Sequence, residues 1–170
     1  GVLDVSAVVQ QLGPEGARLD LAVDTAADAV RVVVVRTVKP GTPEAPGDPS
    51  RADLAVLVPD GAAVTVTTAA GAVEGRGLAA ALTVATRSGD VAVRQRSGAL
   101  ALRSASGNLI AFLEPGASDA PESFETVTGA ITVWLRDAAD VAVSLATSGT
   151  ITTDFSLAIE HHDHAEPGTR

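Results

Sequence analysis

Leu82-Thr-Val-Ala-Thr-Arg-Ser-Gly89-Asp-Val91-Ala-Val93 is followed eighteen residues on by Leu100-Ala-Leu-Arg-Ser-Ala-Ser-Gly107-Asn-Leu109-Ile-Ala111. In both phrases apolar and polar residues alternate with period two on either side of a glycine, the pattern of two short strands joined by a sharp turn. The same phrase stands upstream as Val64-Thr-Val-Thr-Thr-Ala-Ala-Gly71-Ala-Val73. It returns downstream as Phe124-Glu-Thr-Val-Thr-Gly129-Ala-Ile131 and as Val143-Ser-Leu-Ala-Thr-Ser-Gly149-Thr-Ile151. The five glycines, Gly71, Gly89, Gly107, Gly129 and Gly149, are spaced 18, 18, 22 and 20 residues apart.

A two-strand unit of this size cannot bury its apolar face alone, so the units must stack. Stacking in register places Val73, Val91, Leu109, Ile131 and Ile151 in one inward row. The reading is therefore all-β: a single-stranded β-solenoid, or β-helix, of about five coils of 18–22 residues, with an N-terminal β cap. The turn glycines supply positive φ where the chain must reverse. The extra residues of the 22-residue coil fall in Glu114-Pro-Gly-Ala-Ser-Asp-Ala-Pro-Glu122, a loop on the side of the stack.

Upstream, Leu3–Val9, Leu19–Val23 and Val30–Val35 read as three strands within residues 1–38 that are available to cap the first coil. Ala26-Ala27-Asp28 reads as a worn copy of the repeat turn. A Pro-rich loop over 39–52 separates this cap from repeats over 53–159, and 160–170 is a polar tail, the whole forming one structural domain.

Composition excludes several function classes. Twelve basic against twenty-one acidic residues give a net charge of −9, which disfavours nucleic acid and anionic lipid as partners. Aromatics are 2% of the chain, too few for a general stacking platform, and with no Cys there is no disulfide, thiol nucleophile or Cys-based zinc site. No apolar run is long enough for a membrane-spanning helix. The absence of Met, position 1 included, reads as a segment of a longer or processed chain, and eleven Arg against one Lys as the coding bias of a GC-rich bacterium.

The phrases resemble those of a bacterial adhesin-like family whose β-helical domain is called the toastrack. Thr86-Arg-Ser-Gly89-Asp90-Val91 and Ser104-Ala-Ser-Gly107-Asn108-Leu109 carry the resemblance best. Pro59-Asp60-Gly61 is similar to the family's entry into the repeats, and Thr147-Ser-Gly149-Thr-Ile-Thr-Thr-Asp154-Phe155 to its late coil. The resemblance covers about residues 28–159 and implies a scaffold or binding module of the cell envelope, with no catalytic residues to carry over. Family members commonly show a further glycine coil after the Thr-Asp-Phe stretch, whereas here the chain runs into His161-His-Asp-His164, which suggests a segment ending before the last coil.

Residues that could carry chemistry are few. His162 and His164 could share a metal ion, since alternate residues of an extended strand share a face, but a solvated tail explains them and no metal site is assigned. Gly75-Arg-Gly77-Leu-Ala-Ala80 fits the dinucleotide fingerprint in form only, because a β repeat and not a helix follows it. Asp53, Asp60, Asp90, Asp137, Asp140 and Asp154 are the acids a polysaccharide-cleaving β-helix would need, yet no copy stacks one carboxylate above another. The position after the turn glycine reads Ala72, Asp90, Asn108, Ala130, Thr150, a solvated face. Trp134 reads as a ring filling or covering a solenoid corner.

The expectation is thus a non-enzymatic structural or interaction module of a bacterial envelope or surface protein, with no cofactor, no nucleic-acid partner and no membrane insertion. The envelope is favoured over the cytoplasm. The alternatives are a carbohydrate-active β-helix enzyme and a self-assembling cytoplasmic scaffold. Because a solenoid end exposes a free strand edge, end-to-end self-association through residues 150–159 is also expected.

Overall fold

The computed structural model describes residues 3–10, 17–26, 29–40, 51–95, 97–114, 122–135 and 142–154. Its centre is a parallel β-solenoid in which each coil contributes one strand to each of two sheets. The coils are β5 (Val64–Ala70) with β6 (Val73–Leu78), β7 (Leu82–Ser88) with β8 (Val91–Gln95), β9 (Leu100–Ser106) with β10 (Leu109–Leu113), and β11 (Ser123–Thr128) with β12 (Ile131–Leu135). One sheet runs β11-β9-β7-β5 and the other β12-β10-β8-β6. Pairing is parallel throughout, and the row beside the turn glycines stays in register: Val73 pairs Val91, Val91 pairs Leu109, and Leu109 pairs Ile131; the one shift among the described strands is a bulge in β6 after Arg76, which brings Leu78 opposite Gln95.

Alternation decides what this register buries. Leu82, Val84, Val91, Val93, Leu100, Leu102, Leu109, Ala111 and Leu113 point between the sheets and form the core, with Val91 and Leu100 at 0% exposure. Phe124 pairs Leu102 and packs at the edge of the same core. Backbone pairing runs on through the corners: Gly89 N–H donates to Ser106 O at 2.9 Å, and Gly107 N–H to Thr128 O at 2.9 Å.

The corner glycines are required by contact as well as conformation. Gly107 has φ +151°, and a Cβ built on it would lie 2.2 Å from the Gly89 carbonyl oxygen; Gly129 stands in the same relation to Gly107, at 2.1 Å. Any side chain there would push neighbouring coils apart.

Three expectations about the extent of the repeats need correction. Four coils are described, not five. Residues 142–154 contain no strand, and residues 140–170 belong to a unit distinct from 1–139. Ile151 is 50% exposed, and Gly149 is not among the glycines with positive φ. The fifth phrase has the alternation, but alternation makes a strand only where a ladder and an apolar face are both satisfied.

The solenoid also starts later than residue 53. β4 (Arg51–Leu57) pairs antiparallel with β1 (Asp4–Gln10), leaving Val64 as the first residue of the stack. Finally, β2 (Ala17–Thr25) and β3 (Val30–Val38) form an antiparallel hairpin, so the turn near Ala26 is no copy of the parallel repeat. Neither two-stranded sheet hydrogen-bonds to β5 or β6, so the N-terminal strands add no rung to the stack.

Candidate functional site

A stacked repeat turns each outward position into a row running along the solenoid. On the β12-β10-β8-β6 sheet the rows are Glu74, Ala92, Ile110, Thr132 and, two residues further along each strand, Arg76, Arg94, Phe112, Trp134. The second row is the most distinctive outward feature of the described structure. The Phe112 and Trp134 rings stack with centroids 6.1 Å apart and planes within 6°. The Arg94 guanidinium carbon lies 5.1 Å from the Phe112 centroid, within cation–π range. Trp134 is 54% exposed and Phe112 36%, so the column faces solvent.

Trp134 therefore does not fill or cover a corner, as composition alone suggested. It stands mid-strand on the outward parity of β12, one coil beyond Phe112. The signal was present in the sequence: with Ile131 and Val133 facing in, Trp134 faces out, as do Phe112 and Arg94 at the same distance from their turn glycines.

Charge is arranged unevenly around this column. Arg76 is paired with Glu74, the one carboxylate in the two rows. Arg94 makes no ion pair or side-chain hydrogen bond among the described residues, its ring contact apart. On the other sheet Arg103 reaches Glu125 of the next coil, Nη2 to Oε2 at 2.6 Å, an exposed pair of about 0–1 kcal/mol.

The row after the turn glycine proves more ordered than a solvated face. Asp90 Oδ1 accepts the N–H of Asn108 at 2.7 Å, and Asn108 Oδ1 accepts that of Ala130 at 3.0 Å. These side chains tie three coils at one corner, which assigns Asp90 a structural task. Inside the same corner the Thr126 hydroxyl donates to Gly107 O at 3.1 Å, while the buried Thr86 hydroxyl has no partner among the described residues.

The remaining sequence candidates divide as follows. Gly71, Gly89, Gly107 and Gly129 occupy the corners, and Val73, Val91, Leu109 and Ile131 share one row. Gly149 and Ile151 are not brought to them by any described strand pairing. Gly75 faces Leu82, where an added Cβ would sit 3.3 Å from its side chain, and Gly77 takes φ +68°, so these glycines serve packing and a bend. Asp53 pairs Arg51 on β4, and Asp154 is exposed. Asp137, Asp140, Phe155 and the His161–His164 cluster, with His162 and His164, lie outside the described residues. Among the described residues no three His, Cys, Asp or Glu converge as a metal group would require.

Fold and face together define a two-sheet parallel β-solenoid domain that carries two exposed, stacked aromatic rings on one wall. Residues 21–168 match the family described as Toastrack DUF4097, and the chain belongs to that family. No curated protein and no solved structure matches the chain.

Proposed function

We propose that this chain is a non-enzymatic interaction module of a bacterial envelope or surface protein, and that it binds through the outer wall of the β12-β10-β8-β6 sheet. The observation that carries the reading is the Arg94–Phe112–Trp134 column. Ordering three large side chains in one exposed stack on a rigid sheet gives a preorganised contact surface, the arrangement from which interfaces draw their affinity. The rigidity comes from the in-register core beneath it. The carbohydrate-active alternative is less well supported: each of the rows read above offers at most one carboxylate, and Asp90 is committed to the corner ladder.

The test is retention of the purified domain on isolated bacterial envelope fractions. Wild type is expected to be retained and the Phe112→Ala/Trp134→Ala double variant to be lost while still unfolding cooperatively, because the core beneath the two rings is untouched. Equal retention would reject this face. Release of new reducing ends from polysaccharide substrates would replace the module by an enzyme.

The open ladder favours a second reading, a scaffold that associates end to end. Among the described strands β11 hydrogen-bonds only to β9 and β12 only to β10, and at the other end β5 only to β7 and β6 only to β8, so both ends of the stack present free edges, whereas residues 150–154 form no strand. Light scattering decides it: mass rising with concentration supports the scaffold, and a constant monomer excludes it.

A further inference from the structure

We infer that the Arg94–Phe112–Trp134 column is a subsite for a carboxylate-bearing linear polysaccharide, a strand of uronic-acid units. The inference rests on the face proposed above and names its ligand class. Three observations converge on it.

The first is local charge. The chain carries −9, yet the two outward rows of this sheet hold a single acid, Glu74, already engaged by Arg76, so that among the described residues Arg94 leaves the wall positive at its centre. At physiological ionic strength charges beyond about 8 Å are screened, so the wall and not the whole-chain charge meets a ligand seated on it. A guanidinium without a carboxylate partner presents a fork of N–H donors that matches a carboxylate in geometry.

The second is the pairing of that cation with two exposed, near-parallel rings. A pyranose has an apolar face of C–H groups that packs on an aromatic ring, while its hydroxyls and carboxylate lie around the edge. Arg94 lies over the Phe112 ring from one neighbouring strand and Trp134 stacks on it from the other, so a chain of such units lays one C–H face against Trp134 while the carboxylate of another unit reaches the Arg94 fork; a simple anion uses only the latter.

The third is periodicity. Rows on this wall repeat at the strand spacing of about 4.8 Å. One sugar unit of a linear polysaccharide is of similar length, so successive units can meet successive coils.

Trp134 is the only tryptophan in the chain, so its emission reports this site directly. The experiment titrates the whole chain with oligogalacturonate, with its fully methyl-esterified form and with poly-glutamate, following Trp134 fluorescence. Saturable change with oligogalacturonate, at least about tenfold weaker response to the esterified form, and a similar weakening in Arg94→Gln are expected, with Arg87→Gln on β7 unchanged. Arg94→Lys should recover part of the loss in affinity. No response to oligogalacturonate, an equal response to the esterified form, or an unaltered Arg94→Gln overturns the assignment. An equal response to poly-glutamate also overturns it, in favour of an acidic protein segment. Envelope retention that still depends on Phe112 and Trp134 while oligogalacturonate fails would reject only the ligand; retention independent of both rings would reject the face itself.

Discussion

The middle coils and the N-terminal strands are written in similar alternating apolar sequence, yet their burial is opposite. In β7 to β10 each inward Val or Leu has a rung above, a rung below and a facing sheet, and exposure falls to 7% or less. In the β1–β4 pair Val8 is 59% exposed and Leu57 68%. A two-stranded ribbon supplies one neighbour instead of three and buries little. Alternation thus proposes a strand, and stacking decides whether the strand contributes to a core. Ile131, in the last described rung, is intermediate at 43% exposure, as half-completed stacking requires.

The sharpest way to break this comparison is a charge placed in each region. Val91→Asp sets a carboxylate at a fully buried point between Val73 and Leu109 and should cost more than about 4 kcal/mol, enough to abolish the cooperative urea transition. Val8→Asp should shift that transition by no more than about 0.5 kcal/mol. Equal effects would mean that the N-terminal ribbon is as essential to the core as the coils.

Next in size is a methyl group at two glycines. Gly107→Ala must drive its Cβ into the Gly89 carbonyl and should cost upwards of about 3 kcal/mol, whereas Gly61, at φ +82° with open space around it, should cost about 1–2 kcal/mol on the same change. Comparable denaturation midpoints would show that the corners are looser than the 2.2 Å approach implies.

Smaller still is the corner ladder. Asn108→Ala removes the acceptor for Ala130 N–H and should cost about 1 kcal/mol, with faster hydrogen exchange at Ala130 and little change at Val91. Uniform exchange across the coils would deny the ladder a local role.

The smallest effect tests the edge of the core. Glu122 immediately precedes β11, where the rows above continue as Val64, Leu82 and Leu100, and burial pushes its carboxyl above the ordinary value. The native state therefore holds this proton more tightly than the unfolded chain, and stability from this residue is lost as pH rises through the raised pKa. Glu122→Gln should raise the melting temperature at neutral pH, and the difference should vanish below the unfolded carboxylate range. A gain independent of pH would point to packing.

How much of this was legible follows from which interactions are local. The rows through Val73, Val91, Leu109 and Ile131 could be written down from spacing, because period two and an 18-residue coil leave one register that buries them. The Asp90–Asn108 ladder could not, since it depends on the distance between the corners of neighbouring coils. The column at Arg94, Phe112 and Trp134 was readable by parity but hidden by composition, which counts aromatics without saying that two of four would meet. The fifth phrase, Val143 to Ile151, shows the limit from the other side: it has the pattern, and the described residues there form no strand.

The fourth coil also says something about how such a molecule can be enlarged. Nine residues separate Leu113 from Ser123, whereas four separate Gln95 from Leu100, yet Leu109 still meets Ile131 and Ala101 still meets Ser123. Pairing at this corner is indifferent to the length of chain paid out between the sheets, because closing a longer loop adds only slowly to its entropy cost. The corner is a natural cassette: a foreign peptide spliced between Glu114 and Glu122 should be displayed at a fixed height on the stack, and its sequence could drift freely while the coils that carry it could not.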